Sequence, residues 1–261
     1  MPTILGIDLA WSDRNESGLC ILTLERDNVR CEQLEARRLS AQAIALLACD
    51  AAGPVLVAVD GPLIVGSERM AERQLSRVFG RFHAGAYFAS EAFLAGMDAL
   101  AGPETGHALA QRGFSLDPAE LGRAEKLAIE VYPHPAHVVL FGLERRLAYK
   151  KGLVAARRAG LASYQRHLGA YLADREPRLA HDAVIERVLR DDPERLAGQR
   201  LKRLEDTLDA LTCSLIGLHC LRHGPAGIHV FGTGTDGYIV VPGPLPPAAK
   251  PARRRARPCL S

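Results

Sequence analysis

The stretch "TILGIDLAWS", residues 3–12, begins as an apolar run that is typical of a buried β-strand. It also carries Asp8, whose charge would be costly to bury without a partner. A second apolar run, "PVLVAVDGPL" at residues 54–63, has the same form and places Asp60 before a Gly-Pro turn. Asp60 could serve only that turn. If the two strands are parallel neighbours, however, both aspartates lie at the sheet edge where α/β proteins bind ligands.

The composition and charge describe an ordinary globular chain with a basic end. Of 261 residues, 48% are hydrophobic and 24% are charged, which allows a substantial core. The whole chain carries +3 and residues 243–261 carry +5, so the remainder carries −2 and is not a strongly basic nucleic-acid binder. We expect residues 243–261 to form a disordered basic tail. This tail is either a weak electrostatic arm for nucleic acid or, as the simpler interpretation, a solubilising terminus.

The cysteines and apolar runs bear on the cellular compartment. The six cysteines show no Cys-x-x-Cys spacing, and the first residues lack the basic-then-apolar pattern of a secretory signal. No run is long and apolar enough to cross a membrane. We therefore expect a cytoplasmic protein with reduced thiols and no membrane partner.

The order of predicted elements indicates one α/β domain over residues 1–242. Strands are predicted at 3–10, 17–25, 28–37, 54–60 and 127–132, and a closing hairpin within "GIHVFGTGTDGYIVV" at 227–241. Helices are predicted from a Ser40 cap to Gly53 and over roughly 149–222. Residues 66–126 are interpreted as a helical insertion. The simplest packing is a mixed sheet, with a three-strand antiparallel meander plus parallel strands, flanked by helices.

Further carboxylates accompany the first two. Glu130 lies in the predicted strand at 127–132, and "EDTLDALTCSLIG", residues 205–217, places Asp206 and Asp209 on one helix face. That face continues with Cys213, Ile216 and Cys220, so it can pack on the sheet and deliver two acids to its edge. Gathered carboxylates need a cation, and a set of oxygen ligands favours Mg²⁺ or Mn²⁺, as one ion or two. Two such ions can drive phosphodiester hydrolysis.

Four motifs carry a family resemblance. In order, "GIDLAW", "VAVDGPL", "EVYPHPA" and "EDTLDALTCSLIG" closely resemble the predicted nucleases with a ribonuclease H-like fold labelled domain of unknown function 429. The resemblance implies a ribonuclease H-like core and a metal-dependent nuclease acting on nucleic acid. Asp8, Asp60, Glu130 and Asp209 would be its catalytic metal-binding positions, with Asp206 assisting. Because fold does not imply function, this is an analogy.

Several other residues are candidates for substrate binding. Arg69, Arg73, Arg77 and Arg81 recur every four residues, which on a helix gives either a basic stripe for a phosphate backbone or a solvated face with internal ion pairs. His134 could act as an acid–base helper at the rim of the site. Lys150 could meet a substrate phosphate, although an ordinary surface lysine is the simpler interpretation. The sole tryptophan, Trp11, is expected to be a packing residue, or else to shape the pocket.

Two other classes of function fit the same pattern. One is an actin- or sugar-kinase-like ATP-dependent phosphotransferase, but "AWSDRNESG" at residues 10–18 offers Trp and charges where such proteins have a Gly/Thr/Ser phosphate hairpin. The other is a non-catalytic nucleic-acid-binding protein on the same fold. A homodimer is compatible with either.

Overall fold

The strands of the protein form a single sheet. The computed structural model describes residues 1–25, 28–97 and 99–247, so most of the predicted basic tail lies outside the described residues. The strands in the described part are β1 (Thr3–Asp8), β2 (Glu16–Glu25), β3 (Asn28–Arg38), β4 (Val55–Asp60), β5 (Lys126–Val131), β6 (Ile228–Thr233) and β7 (Gly237–Pro242). Their bounds lie within about two residues of the predicted strands.

Helices follow β3, β4 and β5 along the chain. Within the same described residues they are α1 (Ala41–Asp50), α2 (Ala71–Phe79), α3 (Glu91–Gly96), α4 (Ala101–Ala110), α5 (Pro133–Leu140), α6 (Val154–Arg175), α7 (Pro177–Ala180), α8 (Ala183–Arg190) and α9 (Gln199–His223). Ser40 caps α1 as predicted, because its side chain accepts a hydrogen bond from the Ala43 N–H. None of these described helices has the length and apolarity needed to span a membrane.

The strand order of the sheet is β3-β2-β1-β4-β5-β7-β6. The first three strands form an antiparallel meander, and β1, β4, β5 and β7 run parallel to one another. The closing hairpin pairs β6 with β7 antiparallel. The predicted mixed α/β sheet, including its meander and its hairpin, is therefore confirmed.

Each face of the sheet packs on its own set of helices. Because side chains alternate along a strand, Leu5, Ile7, Val57 and Val59 face one side, where they pack with α1 and α4. On the other side, Ile4 packs in the core formed with α6 and α9, and Leu56 and Ala58 pack near the middle of α9. The aspartates that end β1 and β4 have the parity of Ile4 and Leu56. They therefore face α9.

Two glycines bring α9 unusually close to the sheet. A Cβ atom on Gly6 of β1 would lie 2.3 Å from the Ser214 Oγ and 2.4 Å from the Ala210 carbonyl oxygen. A Cβ atom on Gly18 of β2 would lie 2.0 Å from the main-chain oxygen of Asp206. Such contacts are impossible for a side chain, so only glycine permits this approach. The close packing sets the acidic turn of α9 beside the end of β1.

The helical regions differ from the predictions in detail. Residues 66–126 are mainly helical, as expected, but they do not lie apart from the core, because α2 packs on β6 and β7 and α4 packs on α1. The predicted helical stretch over 149–222 is divided into the four helices α6 to α9. The breaks between them lie before Pro177, at residues 181–182 and around Pro193. Helix α5 was not predicted: Pro133 ends β5 but also starts this helix, where its missing N–H costs nothing.

Candidate functional site

Asp8 and Asp60 stand side by side at the carboxyl ends of β1 and β4. They are register partners in the parallel pair, so their backbones are separated by one strand spacing of about 4.8 Å. Removal from water raises the pKa of both carboxyl groups, and for Asp60 the neighbouring carboxylates of Asp8 and Asp209 raise it further. The predicted juxtaposition of these two aspartates is therefore present.

The first half of α9 adds two more aspartates. Asp206 and Asp209 are both buried, and Asp206 lies close enough to Asp8 for the charges of the two carboxylates to interact. Burial, followed by the charge of Asp8, raises the pKa of Asp206 to about 8. The Asp206 Oδ2 atom is buried and meets no N–H or O–H donor in the described part of the chain. The four residues Asp8, Asp60, Asp206 and Asp209 are here called the aspartate cluster.

Two lysines partly neutralise the aspartate cluster. The Lys150 Nζ lies 2.8 Å from the Asp209 Oδ2, and Lys202 forms an ion pair with Asp206. Although burial opposes it, Lys150 holds the pKa of Asp209 below its usual range. The charges of Asp209, Asp8 and Asp60 in turn raise the pKa of Lys150 well above normal, despite its loss of water. Lys150 is thus part of the site and not an ordinary surface lysine.

A hydrogen-bond network behind Asp209 fixes its orientation. The Tyr149 and Tyr164 hydroxyls donate to the Asp209 Oδ1 at 2.7 and 3.0 Å. Since the single Tyr164 proton is used there, we assign the contact at 2.7 Å from the His137 Nε2 as an N–H that donates to the Tyr164 oxygen. All three of these supporting side chains are fully buried. Sequence reasoning missed them, because they look like ordinary core residues.

Glu130 lines the same cavity as Asp8 and Asp60 but lies on the other face of the sheet. Its register partner is Val59, so it points to the face of the sheet opposite to Asp60. There Arg69 donates to both of its carboxylate oxygens, at 2.5 and 3.1 Å, and the Leu63 N–H donates at 3.3 Å. Burial raises the pKa of Glu130, although Arg69 acts to lower it. The bidentate geometry of the two side chains is that of an ionised pair.

The same arginine also forms an ion pair with Glu72. The Arg69 Nε donates to the Glu72 Oε1 at 2.6 Å, and both side chains are almost completely buried. Arg69, Glu72 and Glu130 are here called the Arg69 cluster. Arg69 lines the same cavity as Asp8 and Asp60, but carboxylates enclose its guanidinium group, so its binding of a substrate phosphate stays a prediction.

The other predicted substrate-binding residues are scattered. Arg73 and Arg77 are exposed on α2 and do not line the cavity over the aspartates, so the arginines form no continuous stripe leading to the site. His134 does line that cavity, but it is buried. Its Nε2 accepts a hydrogen bond from the Arg146 Nη1 at 3.3 Å, and burial holds its pKa well below the usual value. It is a neutral histidine at the wall of the cavity.

The donors of the aspartate cluster suit a hard divalent cation. The ligand atoms are carboxylate oxygens, and the buried Asp206 Oδ2 lacks a donor. As they stand, no three His, Cys, Asp or Glu side chains in residues 1–25, 28–97 and 99–247 are arranged to hold an ion. The ammonium groups of Lys150 and Lys202 supply the positive charge among these acids. Binding of an ion would require the side chains to adjust around it.

A family model covers most of the elements described above. No curated protein and no solved structure matches the chain. The model that matches is described as "Protein of unknown function (DUF429)", and the match extends over residues 6–229, from β1 into β6. It includes all four residues of the aspartate cluster and all three of the Arg69 cluster. The chain therefore belongs to the DUF429 family.

Proposed function

We propose that the protein is a divalent-metal-dependent phosphodiester hydrolase that acts on nucleic acid and is built on a ribonuclease H-like core. One observation carries the proposal: acids from three separate parts of the chain, Asp8, Asp60 and the pair on α9, converge at one edge of the sheet. The antiparallel meander joined to parallel β4 and β5 agrees with the core expected from the sequence motifs.

The aspartate cluster would hold Mg²⁺ or Mn²⁺. The donors would be oxygens of Asp8, Asp60, Asp206 and Asp209, whereas Glu130 is committed to Arg69. When bound, such ions activate water and stabilise the charge that develops on a phosphodiester. The chain itself contributes orientation, because Tyr149 and Tyr164 fix the Asp209 carboxylate.

Lys150 has a second task in this proposal. Its side chain contacts Asp209 but is still 29% exposed, and it lines the cavity. Once a metal ion neutralises the aspartates, this ammonium group is free to contact a phosphate oxygen of the substrate. The lysine therefore neutralises the charge of the aspartates before the substrate binds, and the charge of a substrate phosphate afterwards.

The test is manganese-dependent cleavage of single-stranded, duplex, hybrid and branched nucleic acids. Replacing Asp8→Asn or Asp209→Asn should abolish cleavage while the circular dichroism spectrum remains native, since the amide keeps the shape but loses the charge. Asp50→Asn, at an exposed position near the end of α1, is the matched control and should cut like wild type. The proposal fails if wild type cuts none of these substrates or if both site variants cut normally.

Magnesium-ATP is the test for the phosphotransferase alternative. A metal-dependent nuclease of this type needs no nucleotide cofactor. We therefore expect the same melting temperature in magnesium-ATP as in magnesium alone. A clear additional rise with ATP would favour phosphoryl transfer.

A further inference from the structure

The exposed aromatic side chains are concentrated beside the aspartate cluster. All Trp, Tyr and Phe residues lie in the described part of the chain, and four of them are more than a third exposed: Trp11 (51%), Tyr87 (64%), Phe88 (61%) and Phe93 (44%). The first three line the same cavity, of about 240 Å³, as Asp8 and Asp60. The expectation that Trp11 is a packing residue is therefore wrong. Exposed aromatic rings grouped at one cavity mark a binding surface.

Two cations at this cavity have no carboxylate partner. Arg146 and Lys151 form no ion pair within 4 Å with any acid of the described residues, in contrast to Lys150. The Lys151 Nζ instead donates to the Tyr87 hydroxyl at 2.5 Å and lies 4.8 Å from the ring centroid. The cavity thus combines aromatic faces with positive charge available to an anion.

A second groove adjoins this cavity at Trp11. This groove, of about 710 Å³, shares Asp8, Trp11 and Lys150 with the first cavity. Its further lining is polar and carries both signs of charge. Arg203 pairs with Glu16, and Lys202 with Glu205 and Asp206. Arg38, an exposed residue at the end of β3, also lines the groove. Trp11 and Asp8 therefore stand where an apolar, aromatic cavity meets a polar groove.

We propose that the aromatic cavity binds bases of an unpaired nucleic-acid strand, whose backbone passes over Asp8 and Asp60 into the polar groove. This inference rests on the proposed function, and it identifies the substrate class. Bases stack on exposed aromatic rings whatever their sequence, while cations follow the phosphates. In a duplex the base faces are covered by neighbouring pairs, so the rings of this cavity would find no free base to stack on.

Free phosphate or a peptide would use only part of this surface. A phosphate ion has no flat group to stack on three aromatic rings, and an acidic peptide supplies carboxylates but no bases. A strand with both bases and phosphates satisfies the rings and the unpaired cations together. The surface therefore favours a nucleic-acid strand.

The single tryptophan makes the test direct. Because Trp11 is the only tryptophan in the chain, its fluorescence reports the place where the cavity and the groove meet. We would titrate the full chain with single-stranded DNA, single-stranded RNA and a duplex of the same sequence, in EDTA and in calcium, at low salt. Either single strand should quench the fluorescence of Trp11 and bind at least tenfold more tightly than the duplex. Comparison of the DNA and RNA titrations shows which sugar is preferred.

Variants test the individual rings by fluorescence anisotropy of a labelled oligonucleotide. Trp11→Ala, and separately Tyr87→Ala with Phe88→Ala, should each weaken single-strand binding about 5- to 100-fold. Phe93→Ala, an exposed aromatic outside the cavity, is the matched control and should bind normally. Unchanged affinity in the cavity variants, equal or tighter duplex binding, or no quenching by either strand overturns the inference.

These measurements separate the two proposals. Strand binding with quenching but without manganese-dependent cleavage contradicts the hydrolase and leaves the binding surface intact. Cleavage of duplex in preference to single strands contradicts the binding surface and leaves the hydrolase intact.

Discussion

The aspartate cluster and the Arg69 cluster lie at the same edge of the sheet, on opposite faces, and they neutralise their acids in different ways. Arg69 is 1% exposed at its side chain and donates to both Glu72 and Glu130. Lys150 and Lys202 serve the aspartate cluster with side chains that are 29% and 47% exposed. In the first case the cation is locked between its partners; in the second it reaches in from solvent.

The difference teaches which acids can exchange their counter-ion. A planar guanidinium group that forms a bidentate pair is fixed by geometry, whereas an ammonium group is a point charge on a flexible stem. The aspartates can therefore release a lysine and accept a metal ion or a phosphate. Glu72 and Glu130 cannot exchange their counter-ion without breaking the buried ion pairs with Arg69. We interpret the Arg69 cluster as structural and the aspartate cluster as functional.

The largest expected effect comes from breaking the Arg69 cluster. Arg69→Met leaves Glu72 and Glu130 buried without a counter-charge, which should lower the free energy of unfolding by about 3–5 kcal/mol. Urea denaturation measures this loss, and manganese should not restore it. Arg73→Met, at an exposed position on α2, should change stability by less than about 0.5 kcal/mol. A small effect at Arg69 would mean that its ion pairs do not hold this edge of the sheet.

Removing the lysine should have a smaller and reversible effect. Lys150→Met leaves Asp209 with its tyrosine hydrogen bonds but without a counter-charge, so we expect a loss of about 1–3 kcal/mol in EDTA. Millimolar manganese should restore most of the melting temperature, because the vacated carboxylates can take up the ion. If manganese stabilises Arg69→Met as much as Lys150→Met, the distinction between the two clusters is wrong.

The smallest expected effect concerns His137, which supports Asp209 through Tyr164. Burial lowers the pKa of His137 from 6.5 to about 3, so the unfolded chain binds the extra proton between these values. The stability due to neutral His137 is complete above pH 6.5 and is lost as the pH falls. Relative to His137→Gln, wild type should lose about 1.5 kcal/mol between pH 6.5 and pH 5.

Urea denaturation at the two pH values checks this slope, with His181→Gln, at an exposed histidine, as the baseline. The charges that face His137 are those of Asp209, Lys150 and His167, and the Tyr164 hydroxyl contacts it directly. Parallel curves for wild type and His137→Gln would show that the histidine is accessible to protons in the folded protein.

The sequence predicted the sheet and the aspartates well, because both follow from local patterns. Apolar runs that end in Asp8 and Asp60 define two parallel strands, and helical spacing places Asp206 and Asp209 on the face of α9 that meets them. The short breaks within 149–222 and the helix after Pro133 were missed, since helical composition continues across these breaks and proline was interpreted only as a strand terminator.

The placement of Glu130 shows what a sequence alone does not fix. A shift of one residue in the β4–β5 register would turn its side chain to the α9 face, and register is set by packing between strands that lie far apart in the chain. Lys150 was underestimated for a related reason. It lies in the irregular segment between α5 and α6, and only the folded chain brings that segment against α9.

The glycines beneath α9 have a mechanical consequence. Since Gly6 and Gly18 let the helix rest directly on main-chain atoms, no compressible layer of side chains separates Asp206 and Asp209 from the strand that carries Asp8. Because Asp206 and Asp209 lie within one turn of the same helix, a roll of this 25-residue helix about its axis would displace both acids relative to Asp8 and Asp60. We therefore expect the spacing of the carboxylates to depend on how the helix is seated on the two glycines.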